Sequence, residues 1–275
     1  MNYEFLAIAH RGASGYCPEN TMASFRRARE LGARWQECDL RLTADDEVVV
    51  IHDSTVDRTT DGSGPVRGFS LAALQRLDAG SWFDSKFRGE RIPTFSQVLD
   101  SLTPNCRLVA ELKDGKNFPQ IIELAVSQVI ERGLEEQVQF SAFSWDVLVE
   151  AKKLCPKLKT QVLVVLGEEG GEAPFVDGGT APFYSNPHKL AADALAYGVD
   201  VVCPQADRID ENLVSLLHSE GLKVRAWGVN SDQGPLMLRM LEAGVDGMTA
   251  NYPDRLLEVY AEFQKNRNSK PKGSY

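Results

Sequence analysis

Residues 199–250 read VDVVCPQADRIDENLVSLLHSEGLKVRAWGVNSDQGPLMLRMLEAGVDGMTA. Three short apolar runs, at 199–203, 223–229 and 247–250, alternate with two segments, 211–219 and 235–242, whose apolar residues recur at helical spacing. Gly221 and Gly244 stand just past those segments, where a left-handed residue ends a helix at little cost. The unit is strand–helix–strand–helix–strand, the pattern of a parallel sheet. The same rhythm runs back to the start of the chain. Strands are expected at 5–9, 35–40, 107–112, 137–142 and 160–165. Helices are expected at 19–31, 118–132, 145–154 and 187–197, with a last one from about 254 to 263. Gly32, Gly133 and Gly198 supply further stops. Eight strands separated by helices predict an α/β fold, a (β/α)8 TIM barrel spanning 1–265 as one domain. A doubly wound open sheet is the alternative topology. The closing segment 266–275 is polar and basic and is expected to fray.

Two segments break the rhythm. After the second strand, Asp45-Asp46 signals a turn and 48–52 reads as a returning strand, so a hairpin is expected there. Residues 54–106 then form an insertion too long for an ordinary connection, read as a small lobe over the barrel mouth. The Gly- and Pro-rich segment 167–187 is expected to be a mobile loop after the fifth strand, and both should border the entrance to the site.

The chain of 275 residues carries a net charge of -9, which disfavours nucleic acid and anionic lipid surfaces as partners. Its five cysteines lack CxxC spacing, which argues against a disulfide framework or a zinc site. No segment is long and apolar enough to span a bilayer, and the N-terminus lacks a signal-peptide pattern. The expectation is a cytoplasmic protein without a stable membrane anchor, acting on a small molecule.

Candidate chemistry gathers at strand ends. The segment AHRGASGYCPENT, 9–21, puts His10 and Arg11 at the end of the first strand, the face of a barrel where active sites form. Glu37 and Asp39 are two apart on a strand and so project to one side. Two adjacent buried anions are costly without a cation, which points to a hard metal ion. A hairpin turn centred between Ala44 and Asp45 would set His52 opposite Glu37, beside that pair. In RLVAELKDG, 107–115, Glu111 could complete a three-carboxylate site and Lys113 could touch a phosphate. Trp227 could wall a small polyol pocket, with Asn230 holding the turn beyond it.

In order and spacing, AHRGASGYCPENT, ECDLRLTADDEVVVIHDSTVDRTTDGSG, ELK, WGVN and GVDGMTANYPD resemble the glycerophosphodiester phosphodiesterase family, over residues 9–254. The resemblance implies a TIM barrel with an insertion lobe after the HD motif. It implies hydrolysis of glycerophosphodiesters to glycerol 3-phosphate and an alcohol. It implies metal ligands at Glu37, Asp39 and Glu111 for Mg2+ or Ca2+, and acid/base histidines at His10 and His52. Phosphate contacts fall on Arg11 and Lys113, and Glu19 and Asn20 join Trp227 at the substrate-binding positions. Gly228 and Asn251 stand where the family more often has Thr and Asp; neither is a proposed ligand or acid/base group. Two other readings remain. One is phospholipase D-like action on lysophospholipids, with Trp82, Phe83, Phe175, Phe183 and Tyr184 as an apolar rim. The other is a phosphodiester-binding barrel without catalysis.

Overall fold

The structure, a computed structural model, describes residues 5–113, 115–176, 179–229 and 233–269. Eight parallel strands close into a barrel: β1 (Leu6–Ala9), β2 (Trp35–Leu42), β4 (Arg107–Leu112), β5 (Val138–Ala142), β6 (Lys159–Leu166), β10 (Val201–Pro204), β11 (Lys223–Val229) and β12 (Gly247–Ala250). Each pairs with its neighbour, and β1 pairs with both β12 and β2, so the sheet has no edge. That closure excludes the open-sheet alternative.

Strand periodicity sorts side chains between two environments. In β4, Leu108, Ala110 and Leu112 join the main core with Ile121, Ile122 and Ala125 of helix α4 (Gln120–Glu131). The intervening Val109 and Glu111 therefore face the barrel interior. The outer ring is completed by α1 (Met22–Glu30), α3 (Phe95–Asp100), α5 (Trp145–Leu154), α6 (Pro187–Tyr197), α7 (Glu211–Ser219), α8 (Gly234–Ala243) and α9 (Pro253–Ser269). Thr21 caps α1 by accepting from the Ser24 amide at 3.3 Å. Gly198 and Gly244 end α6 and α8 in the left-handed conformation. The last helix runs on to Ser269; residues 270–275 lie outside the described residues.

Segment 54–106 divides in two. Val56, Val66, Leu74, Ala79 and Ile92 form a separate small core with Val49 and Ile51 of the hairpin. The short helix α2 (Leu71–Leu74) belongs to this lobe. Phe95, Val98 and Leu99 of α3 instead pack into the main core, where α3 serves as the barrel helix between β2 and β4. In segment 167–187, β7 (Phe175–Val176) and β8 (Gly179–Thr180) pair as a tiny hairpin, and β9 (Phe183–Tyr184) extends the barrel sheet by pairing with β6. Among the described residues no helix is long and apolar enough to cross a membrane. The five cysteines are all free and buried.

Candidate active site

The chain turns sharply after β1, and the turn shapes the site. Arg11 and Asn20 adopt positive φ of 52° and 56°, unusual for side chains with a Cβ. Hydrogen bonds hold both in place. The Arg11 amide donates to Glu37 Oε2 at 2.9 Å, the Asn20 amide to the Arg11 carbonyl at 3.0 Å, and the Ser24 hydroxyl to that same carbonyl at 2.8 Å. Gly12 follows at φ 77°, where a Cβ would lie 2.4 Å from Ser24 Oγ and 2.6 Å from its carbonyl carbon. Only glycine fits there.

Three carboxylates meet inside the barrel. Glu37, Asp39 and Glu111 are buried, and each offers an oxygen within 4.8 Å of the others. Asp39 is the most tightly held. Asn20 Nδ2 donates to its Oδ2 at 2.7 Å, Arg11 Nε lies 3.2 Å from the same oxygen, and Lys113 Nζ lies 3.4 Å from Oδ1. Burial pushes the Asp39 carboxyl up, but Lys113 and Arg11 outweigh it and hold the group well below the usual carboxylate range. Glu37 goes the other way: burial, then Asp39 and Glu111, push it up to about 8. Lys113 also reaches Glu111 Oε1 at 2.8 Å. The donor set is all hard oxygen, and the like charges repel unless a cation joins them, so the cluster fits Mg2+ or Ca2+.

The two acids should therefore respond oppositely to neutralisation in ion-free protein. The unfolded chain ionises Glu37 more readily than the folded chain does. Glu37 costs no stability below the ordinary carboxylate pKa, and an increasing amount as pH rises from there towards 8. Glu37→Gln is expected to raise the thermal midpoint at pH 8. Asp39→Asn is expected to lower it, because Lys113 and Arg11 lose a buried carboxylate, although each keeps another, Glu111 and Glu19 respectively. Thermal melts with chelator present would show both signs, and a Glu37→Gln melt below wild type would contradict this reading.

The two histidines line the same cavity, of about 340 Å³, with Arg11, Glu37, Glu111, Lys113, Phe143, Arg225, Trp227 and Thr249. His10 Nδ1 donates to Asn251 Oδ1 at 2.6 Å. Burial, then the Arg11 charge, lowers His10 to about 4. His52 Nδ1 donates to Asp53 Oδ1 at 2.7 Å. Asp53 in turn accepts from Arg58 Nε at 2.7 Å, and these Arg58 hydrogen bonds hold its carboxyl well below the ordinary range. Arg58 also grips Glu19 at 2.8 and 2.9 Å, and Glu19 accepts from Arg11 at 2.7 Å. A chain of charge-assisted bonds thus runs from His52 through the lobe to Arg11.

The hairpin does not set His52 opposite Glu37: the ladder pairs Leu40 with Val50 and Arg41 with Val49. Asp46, at φ 60°, makes the turn one residue longer, closed by the Thr43 amide donating to the Glu47 carbonyl at 3.0 Å. His52 reaches the cavity because β3 (Val48–Val50) has already ended. Glu19 and Asn20 stand behind the cavity, holding Arg11 and Asp39. Asn251, given no role from sequence, is the direct hydrogen-bond partner of His10. Asn230 lies outside the described residues. Asp53, Arg58 and Thr249 stand inside the motifs quoted from sequence but were given no role there, and Arg225 lies just before WGVN with no role either. The loop residues Gly167, Glu168 and Phe183 border a second pocket that shares Trp227 with the cavity of the histidines and carboxylates.

Residues 10–255 match the glycerophosphoryl diester phosphodiesterase family. A glycerophosphodiester phosphodiesterase from Caldanaerobacter subterraneus subsp. tengcongensis is 38% identical, over 92% of this chain and 97% of its own. One from Bacillus subtilis is 32% identical over 92% of this chain and 86% of its own. Among solved structures, an Oleispira antarctica phosphodiesterase in complex with the product sn-glycerol-3-phosphate superposes with a TM-score of 0.75 at 27% identity, covering 92% of this chain and 96% of that one. Matched over nearly its whole length, by family and by a relative spanned almost end to end, the chain belongs to the glycerophosphoryl diester phosphodiesterase family.

Proposed function

We propose that this enzyme hydrolyses glycerophosphodiesters to glycerol 3-phosphate and an alcohol. In this reading Glu37, Asp39 and Glu111 hold one divalent cation, and His10 and His52 move the protons. The observation that carries the proposal is the meeting of three carboxylates, within 4.8 Å of one another, with two imidazoles on a single cavity. A bound Mg2+ or Ca2+ would supply Lewis-acid neutralisation of the phosphodiester charge.

The chain's own groups supply the rest. Arg11 and Lys113, the cations nearest the carboxylates, would face the phosphate. At neutral pH His10 is uncharged, with Nδ1–H fixed on Asn251 and Nε2 free to accept a proton. That leaves proton donation to His52. Asp53 accepts from its Nδ1 and so fixes the tautomer and orientation of the ring.

The test is turnover of glycerophosphocholine by protein stripped with chelator and then supplied with Mg2+ or Ca2+. Activity is expected to vanish with chelator and to return with one of the ions. Full activity in chelator would refute the metal role, and none under any condition would favour a silent binding barrel. Action on lysophospholipids is the weaker reading. Of the rim residues it needs, Tyr184 is buried, with its hydroxyl donating to Asp193 at 2.8 Å. Comparing rates on glycerophosphocholine and lysophosphatidylcholine separates the two.

A further inference from the structure

The catalytic cavity has a second polar wall, opposite in character to the first. The wall of β2 and β4 carries the three acids, and the wall of β11 and β12 carries Arg225, Trp227 and Thr249. Arg225 is 3% exposed, and its Nε and Nη1 have no hydrogen-bond partner. Its partner is the Cys203 thiol. Thr249 is 6% exposed with an unpartnered Oγ1. Trp227 Nε1 is buried and unpartnered as well, while the ring packs edge-on against Phe143 at 5.7 Å. Leaving two nitrogens of a buried guanidinium and two further polar atoms unsatisfied is costly, and each of the three residues lines the space a substrate would enter.

The strand order says which part of a substrate meets this wall. Thr249 registers with Ile8 on β1, two residues before His10, so the wall adjoins the proposed base. The phosphate's counter-charges, Arg11 and Lys113, lie with the carboxylates. The wall presents donors, which suit hydroxyl oxygens. Its buried cation disfavours an amine or quaternary ammonium headgroup. We propose that Arg225, Thr249 and Trp227 form the subsite for the glycerol moiety, fixing its hydroxyls beside His10 and sending the departing alcohol the other way. This rests on the functional reading above.

The experiment compares glycerophosphocholine with bis(p-nitrophenyl) phosphate, a diester without glycerol, in wild type, Arg225→Met, Arg225→Lys and Thr249→Val. Hydrogen bonds to charged and neutral groups are worth enough that the ratio of kcat/KM for the two substrates should fall about tenfold to a hundredfold in Arg225→Met, and less in Thr249→Val. Glycerol 3-phosphate should also raise the thermal midpoint of wild type more than that of either variant, while inorganic phosphate should not distinguish them. If Arg225→Met fails to fold, Arg225→Lys and the nearly isosteric Thr249→Val decide the matter. An unchanged ratio overturns the subsite, and so does an equal loss on both substrates, which would place Arg225 on the phosphate. Inactivity of wild type on glycerophosphocholine with either ion would instead be a failure of the functional reading.

Discussion

His10→Ala and His52→Ala are each expected to lower kcat on glycerophosphocholine by about two to four orders of magnitude, the range for loss of a positioned acid or base. The two losses should differ in pH dependence. His10 is held down to about 4 by burial and then by Arg11, so it keeps its lone pair through the neutral range and loses it only as pH falls through that value. Wild-type kcat/KM should therefore keep its His10-dependent component down to about pH 4, and the His10→Ala profile should lack it. His52 depends on Asp53, so Asp53→Asn should damage the same step without removing the ring. Circular dichroism would check that each variant folds. A loss under about tenfold in a folded His10→Ala or His52→Ala protein would remove that histidine from the mechanism.

How these residues come together was only partly written in local sequence. The barrel was legible because its signals are local: apolar runs of strand length, helical periodicity, and glycines such as Gly198 and Gly244 at helix ends. The same-side projection of Glu37 and Asp39 follows from strand geometry alone. Hairpin register was not legible, because it hinged on one residue: Asp46 entering the left-handed region moved the ladder by a step. Arg225 sits in a run, KVRAWGV, that reads equally well as a strand with one face in solvent. Only closure of the sheet turns that face inward. The Arg58–Glu19 and His10–Asn251 contacts join residues 39 and 241 positions apart, and no spacing rule reaches so far. The family resemblance supplied the site's membership, and the structure supplied the supports behind it.

A substrate analogue lacking the glycerol hydroxyl next to the ester is expected to turn over at least about three orders of magnitude more slowly than glycerophosphocholine. An intramolecular nucleophile enjoys a very large effective molarity over water, and that hydroxyl can close a five-membered cyclic phosphate. On that route its oxygen would bond to phosphorus as the bond to the departing alcohol breaks. His10 would take the hydroxyl proton and His52 would give one to the leaving oxygen. Water would then open the ring with the two roles reversed, yielding glycerol 3-phosphate. A cysteine-bound intermediate is disfavoured: the five cysteines are buried, and burial pushes the Cys38 thiol, between Glu37 and Asp39, well above its ordinary range. Direct attack by water would use the same histidines and carboxylates, so substitutions in the protein do not separate the routes, whereas the substrate does. The subsite of Arg225 and Thr249 complicates the comparison in a useful way, because the missing hydroxyl could also weaken binding. Binding loss should appear in KM, and loss of the nucleophile in kcat. A deoxy analogue with raised KM but near-normal kcat would exclude the cyclic route and leave water as the nucleophile. A collapse of kcat with a cyclic phosphate trapped from the normal substrate would establish it.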